Sequence, residues 1–264
     1  MTTNATYDPA FFQPLFDAED RHFWFRSRNR IVRDVVERLL PALPPDSPIL
    51  EVGCGTGNVL RVLREACPAA TVVGMDLYAE GLSFARRRTA APLVQGDMHR
   101  PPFRAQFGII GLFDVLEHLP DDRRVLRDLR AMLQPGGYLV LTVPAHPTLW
   151  SYFDEASQHQ RRYRPDELRR KLDEAGFTPE FMSPYMMSAF VPMWPGGRLA
   201  ALPLGAADAP DGKRAEALAT RELRPTPVVN DLFMGLLAVE RAWLARGRVL
   251  PLGTSLLAVG QAFQ

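Results

Sequence analysis

The stretch ILEVGCGTGNVL (residues 49–60) decides the fold, because an apolar run passes through a glycine turn into a helix-like pattern. Gly53, Gly55 and Gly57 alternate in this turn, and glycine lets a backbone approach a ligand without a Cβ clash. The helix that follows offers free N–H groups to the same ligand. The stretch therefore predicts a strand, a binding loop and a helix in succession.

The segments around this loop repeat the alternation of strand and helix. An amphipathic helix comes first and ends near Pro41. Strands are predicted at 49–53, 71–76, 93–96, 107–112 and 138–143, and helices at 58–66, 79–88, 123–133 and 166–175. This order predicts a parallel sheet with helices on both faces.

The last third of the chain departs from that rhythm. Two more strands are predicted at 177–183 and 254–263, and a helix at 228–246 precedes the second of them. A connection of about seventy residues is usually functional or disordered, and its apolar content argues against disorder. We predict a cap at 184–251, inserted between the last two strands.

Composition excludes several classes of protein. The 264 residues are 47% hydrophobic, which fits one large domain or one domain with an insertion. A net charge of +1 gives no reason to expect a nucleic-acid partner. Cys54 and Cys67 form no disulfide or zinc pattern. With no signal-peptide pattern and no membrane-length apolar run, we expect a cytoplasmic protein of undetermined oligomeric state.

The residues that follow the glycine loop narrow the range of ligands that it could bind. No Lys follows as a P-loop requires, and Asn58 stands where a GxGxxG loop has its third glycine. Asp76 ends the second strand and can accept hydrogen bonds from both ribose hydroxyls, which also suits NAD. Asp97, followed by Met98, lies beyond the third strand and suits an adenine amino group.

Together the motifs EVGCGTG, GMD, GDM, DVLEHL and LQPGG, in this order and spacing, resemble the class I S-adenosylmethionine-dependent methyltransferases. The resemblance covers 49–144 and is greatest to the small-molecule branch that contains the ubiquinone-biosynthesis O-methyltransferases. It implies a Rossmann-like α/β sheet of seven strands, the last antiparallel. It also divides the chain into an N-terminal lid and helix (1–45) and a methyltransferase domain (46–264).

The resemblance also implies the residues that hold S-adenosylmethionine. Glu51 and the glycines would surround its methionine part, and Phe113 would lie near the sulfonium. Trp24 would be a lid, with Arg30 or Arg26 as the carboxylate clamp. The cofactor set is Trp24, Arg30, Glu51, Gly53, Gly55, Gly57, Asp76, Leu77, Asp97, Met98 and Phe113. A turn or cap role for Asp76, and plain packing for Phe113 and Trp24, stay open.

Two motifs carry the candidate catalytic residues. His159 opens HQRRYRPDEL and is a candidate general base. Arg161, Arg162 and Tyr163 beside it could hold an anionic or phenolic group, or the motif is only a solvated loop. His146 is a weaker candidate.

The second motif places Asp114, Glu117 and His118 on one helical face. In some relatives a similar group is linked to a divalent metal. We instead favour a capping box between Asp114 and Glu117 and predict no metal, which leaves His118 as a second catalytic candidate.

These patterns predict methyl transfer from S-adenosylmethionine to a small acceptor, apolar or aromatic. The stretch YMMSAFVPMWPGG (185–197) could line the acceptor pocket, and membrane contact there is the less favoured alternative. Two other functions stay open. One is a non-catalytic S-adenosylmethionine-binding protein, and the other is an NAD-dependent oxidoreductase, which would have no use for the GDM site.

Overall fold

A seven-stranded sheet forms the centre of the computed structural model, which describes residues 7–103, 106–190, 223 and 226–262. The strands are β1 (Ile49–Val52), β2 (Val72–Asp76), β3 (Leu93–Gln95), β4 (Phe107–Phe113), β5 (Leu133–Pro144), β6 (Phe177–Tyr185) and β7 (Ser255–Ala262). In spatial order they run β3-β2-β1-β4-β5-β7-β6. The last strand, β7, lies antiparallel between β5 and β6, while β1 to β5 pair in parallel. The predicted Rossmann-like fold is confirmed.

Helices cover both faces of this sheet. They are α1 (Phe12–Ala18), α2 (Phe23–Leu39), α3 (Asn58–Ala66), α4 (Ala79–Arg88), α5 (Asp122–Met132), α6 (Tyr152–Ala156), α7 (Pro165–Glu174) and α8 (Pro227–Leu244). Apolar residues of α5 and α7 belong to one buried core, and those of α2, α3, α4 and α8 to another. Each helix follows from an apolar face at helical spacing, such as Val59, Leu60 and Leu63 on α3.

The largest difference from the predicted boundaries is in β5. This strand begins at Leu133, before the LQPGG turn, whereas the sequence pattern predicts it only from residue 138. The pairing of β4 with β5 shifts register between Phe107 and Ile109, which absorbs the glycines at 136 and 137. The sequence pattern predicts a loop at a glycine turn within a strand, because the pairing with the neighbouring strand is not visible in the sequence.

Helix α8, at the described end of the predicted cap, bonds to α2. Asn230 on α8 accepts a hydrogen bond from the Phe23 N–H (2.7 Å), and the Phe23 and Phe233 rings stack at 4.6 Å. Farther along, two guanidinium nitrogens of Arg241 bind the Asp34 carboxylate at 2.6 and 2.7 Å. Residues 191–222, 224 and 225 of the predicted cap lie outside the described residues. Among the described helices, none is both long and apolar enough to cross a bilayer.

Candidate functional site

A cavity of about 1990 Å³ opens at the carboxyl ends of the strands, beside β1 and β4, where the strand order reverses. This is the expected ligand position in an open α/β sheet. Eleven of the thirteen predicted site residues line it, namely Trp24, Glu51, Gly53, Gly55, Asp76, Leu77, Asp97, Met98, Phe113, His118 and His159. Gly57 and Arg30 are not among the lining residues.

The three glycines of the loop all have positive φ angles, which favours glycine over other residues. At Gly53 a Cβ would lie 2.5 Å from Val115 Cγ2, so this position has no room for a side chain. At Gly57 a Cβ would lie 2.9 Å from the Ala85 Cα, which explains this glycine by the close packing of α3 on α4. Gly55 has open space above it, with only Phe12 Cε1 within 4 Å.

Asp76 joins two binding loops. Its Oδ2 accepts the Gly55 N–H at 2.7 Å and its Oδ1 accepts the Tyr78 N–H at 2.8 Å. Burial raises the pKa of this carboxyl, and the backbone N–H donors of Tyr78 and Gly55 oppose that rise. Each oxygen keeps a lone pair for a second donor from the cavity, so a turn role and a ligand role are compatible.

Glu51 is a buried acid that lacks a partner. Its Oε2 has no hydrogen bond within the described part of the chain, although the residue lines the cavity. Burial raises the pKa of Glu51 well above its usual range, and the nearby Arg28 only partly opposes this. An unpartnered buried carboxyl is costly unless a ligand supplies the missing donor.

Arg28 is the site residue that sequence reasoning missed. It is buried on α2 and lines the cavity, with Nη1 2.8 Å from Asp114 Oδ2 and the Trp24 ring 5.2 Å from its guanidinium. Arg30 lies outside, where burial and the charges of Arg26 and other arginines lower its pKa. The missed signal is the helical period, because position 28 shares the face of the buried Ile31 and Val32.

The predicted capping box in DVLEHL is wrong. Asp114 has a positive φ of 56° and pairs with Arg28, and the short 3-10 turn Leu116–His118 has no side-chain cap. The turn begins too late for Asp114 to cap it. Both carboxyl oxygens of the fully buried Glu117 have no partner in the described ranges, and burial raises the pKa of Glu117 well above its usual range.

His159 is held in a defined orientation at the cavity wall. Its Nδ1 lies 2.8 Å from Asp154 Oδ1, while Arg162 binds the same carboxylate at 2.7 and 2.8 Å. The other ring nitrogen, Nε2, lies 4.0 Å from Glu117 Oε1. The His118 ring packs on the His159 ring at 4.8 Å, and burial together with the His159 charge lowers the pKa of His118 to about 3.

Three side chains of this cluster are placed so that they could hold a metal ion. One ligand atom each from Glu117, His118 and His159 lies within 4.8 Å of the others. The absence of a metal there stays a prediction.

Arg161, Arg162 and Tyr163 of HQRRYRPDEL bond to carboxylates within the protein. Tyr163 is fully buried, and its hydroxyl donates to Asp122 at 2.9 Å. Arg161 binds the same carboxylate, at 2.9 Å. Internal carboxylates bind all three side chains, and Arg162 also lines the cavity, so a contact of Arg161, Arg162 or Tyr163 with an acceptor stays a prediction. His146 does not line the cavity.

Comparison with known proteins identifies the family of this chain. A sequence model described as "Methyltransferase domain" matches residues 24–180. Trans-aconitate 2-methyltransferase of Azoarcus sp. (strain BH72) is 32% identical over 162 residues, 60% of each chain. Ubiquinone biosynthesis O-methyltransferase of Vibrio parahaemolyticus is 27% identical over 150 residues, 49% of this chain and 63% of that one.

Solved structures share the fold. Phosphoethanolamine N-methyltransferase 2 of Haemonchus contortus, in complex with S-adenosyl-L-methionine, superposes with a TM-score of 0.60 at 17% sequence identity. The match covers 99% of this chain and 59% of that one. The chain spans 60% of the length of the Azoarcus relative, so relatives inform its family more firmly than its substrate. The chain belongs to the methyltransferase domain family, as a class I S-adenosylmethionine-dependent member.

Proposed function

We propose that this protein transfers a methyl group from S-adenosylmethionine to a small acceptor that is apolar or aromatic. The observation that carries the proposal is the pair of buried acids, Glu51 and Asp76, at the glycine loop in one cavity. When bound, S-adenosylmethionine supplies a methyl group already activated by its positive sulfonium. The protein then has to hold two reactants in line and exclude water, which alone accelerates a reaction greatly.

The residues present fit the cofactor. The unpartnered Oε2 of Glu51 suits the cofactor ammonium, and the free lone pairs of Asp76 suit its ribose. Leu77 is 41% exposed inside the cavity and would pack on the adenine, with Asp97 and Met98 next to it. For the cofactor carboxylate, Arg28 replaces Arg30 in the proposal, because Arg28 lines the cavity and keeps one N–H on each of Nη1 and Nη2 beyond its bonds to Asp114 and Asn29.

The other end of the cavity supports an apolar acceptor. Its wall includes the apolar side chains of Leu119, Leu149, Trp150 and Phe153, which suit an apolar or aromatic acceptor. Phe113 lines the same cavity at the end of β4, next to the strand that leads into the glycine loop. In this proposal Phe113 contacts both reactants.

His159 is the proposed base for an acceptor that must lose a proton. The Asp154 carboxylate accepts a hydrogen bond from Nδ1–H, which leaves Nε2 as the nitrogen that can accept a proton. His118 is a much weaker base, since a pKa of about 3 leaves it neutral and poorly basic at neutral pH. Glu117, opposite Nε2, would hydrogen-bond the acceptor while its own carboxyl is protonated.

The predicted lid and cap both reach this cavity. Tyr7, Phe12 and Trp24 line it from the N-terminal side, which supports a lid within 1–45. Ala189 and Phe233 line it from within 184–251, which supports a cap that helps to form the acceptor pocket. The boundary between the lid and the domain 46–264 stays a prediction.

Transfer of a labelled methyl group tests the proposal. The protein is incubated with methyl-labelled S-adenosylmethionine and a metabolite extract, with trans-aconitate as a separate acceptor because a relative is named for it. We expect a labelled small molecule, absent with Asp76→Ala. Tight binding of S-adenosylhomocysteine without any transfer would favour a binding protein. Binding of NAD in its place would overturn the cofactor.

A further inference from the structure

One face of α8 exposes an apolar surface. Val228 is 79% exposed, Leu232 61% and Val239 70%, and the row continues with Val229, Leu236 and Trp243. Asp231 is the one ionisable residue that is exposed within Pro227–Leu244. Monomeric proteins rarely leave so continuous an apolar surface to water, and such surfaces usually meet a partner or a membrane.

The apolar face of α8 has arginines along its edge. Hydrogen bonds join Phe23 to Asn230 and Asp34 to Arg241, each pair 207 residues apart, so α2 and α8 run in parallel. Arg26 and Arg30 lie on the partly exposed side of α2 next to this seam. Within the described ranges neither forms an ion pair, whereas Arg33 and Arg241 do.

The arginines along this edge lie close enough to repel one another. Burial lowers the pKa of Arg30, and the charges of Arg26, Arg241 and Arg33 lower it further. An anionic partner would relieve this repulsion. Beyond the end of α8, the exposed Arg246 and Arg248 add two more charges, and the Arg248 guanidinium stacks on Trp243 at 4.5 Å. An apolar strip with an aromatic residue and flanking arginines matches the boundary between lipid headgroups and acyl chains.

We propose that the exposed face of α8, with Arg26 and Arg30 of α2, docks this protein on an anionic lipid surface. A second copy of the chain fits less well, because it would bring another row of unpaired arginines to the same seam. The inner side of α8 places Phe233 in the cavity wall, so one helix connects the docked surface to the cavity. An acceptor dissolved in the bilayer would then reach the cavity along an apolar route.

Vesicle sedimentation with the full chain tests this proposal. We expect binding to vesicles of phosphatidylglycerol and phosphatidylcholine, weaker binding to phosphatidylcholine alone, and a decline as salt increases. Leu232→Glu combined with Val239→Glu should reduce binding at least about tenfold. Arg26→Gln combined with Arg30→Gln should weaken it several-fold and flatten its salt dependence.

The matched control removes the same charge elsewhere. Arg64→Gln combined with Arg127→Gln changes two exposed arginines on α3 and α5 and should leave vesicle binding unchanged. Every variant should bind S-adenosylhomocysteine as the parent does, since none of these side chains lines the cavity. Equal binding to neutral vesicles, or no binding to either, would overturn the proposal. So would a dimer in sedimentation velocity that Leu232→Glu abolishes while vesicles remain unbound.

Discussion

The pKa values of the buried acids shift in opposite directions on the two sides of the cavity. At the glycine loop, burial raises the pKa of Glu51 and of Asp76. The charge of Arg28 only partly opposes the rise at Glu51, and backbone N–H donors only partly oppose it at Asp76. Behind the opposite wall, burial acts in the same direction on Asp154 and Asp122. There, hydrogen bonds from His159 and Arg162 to Asp154, and from Lys171 and Tyr163 to Asp122, lower both pKa values.

This difference separates structural acids from acids that await a ligand. Asp154 and Asp122 already have cationic partners within the chain, so their charges are stabilised before any ligand binds. Glu51 and Glu117 have unpartnered oxygens instead, and both belong to the cavity wall. We infer that the cofactor supplies the missing hydrogen-bond partner of Glu51 and that the acceptor supplies the missing partner of Glu117.

The largest effect is expected for the base. His159→Ala should lower turnover by about 10²–10⁴-fold, the usual range for loss of general-base catalysis, while the affinity for S-adenosylhomocysteine stays unchanged. Asp154→Asn should also lower turnover, because the neutral amide cannot stabilise the positive charge that His159 gains as a base, as the carboxylate does. Steady-state kinetics and calorimetry measure the two quantities separately.

Ser151→Ala is the matched control for Asp154→Asn. The Ser151 hydroxyl also binds Asp154, at 3.1 Å, but through Oδ2 rather than the oxygen that faces His159. This variant should lose some stability at the start of α6 and keep its turnover. If Ser151→Ala lowered turnover as much as Asp154→Asn, the segment as a whole, and not the Asp154–His159 contact, would be what matters.

A smaller effect is expected for the carboxylate clamp. Arg28→Gln should weaken S-adenosylhomocysteine binding by about 10–100-fold, as expected for one charged hydrogen bond. Binding of 5′-methylthioadenosine, which lacks the amino-acid part, should barely change and also shows that the variant is folded. Arg30→Gln is the control and should bind both compounds normally. The reverse result for the two arginines would restore Arg30 as the clamp.

Proton release should accompany cofactor binding. In the free protein the raised pKa keeps Glu51 partly protonated, and an ammonium beside it would favour the charged form and release a proton. S-adenosylhomocysteine affinity should then fall with decreasing pH, by at most about tenfold per pH unit. Calorimetry in buffers of different ionisation enthalpy measures the release. Glu51→Gln should abolish the release, and an unchanged release in that variant would assign it to another acid.

The smallest effect concerns the attachment of α8 to α2. Arg241→Ala removes a two-point contact with Asp34 that is partly exposed, which should cost about 0.5–1 kcal/mol. For a chain of this size the melting temperature should fall by about 1–4 °C. Arg64→Ala, without this contact, should melt as the parent does. A much larger fall for Arg241→Ala would mean that this ion pair, and not the apolar packing of Leu237 and Leu244, holds α8 in place.

Local pattern was sufficient for the sheet and most of the cofactor side. Each parallel strand is a short apolar run bounded by turn residues, so the order of strands and the motifs at their ends can be read along the chain. Eleven of the predicted site residues reach the cavity, because loops after parallel strands converge on one edge of a sheet.

Only the tertiary structure decided the partners of the charged groups. Arg28 and Arg30 are two residues apart on the same helix, and packing against the sheet alone turns Arg28 into the cavity. Asp154, absent from the predicted site, binds His159 and Arg162 through the fold of a single loop. Sequence thus determined the fold and the cofactor loop, because period and turn chemistry are local. Pairing of buried charges depends on which residues distant in sequence share the same dry space, and that is a property of the packed chain.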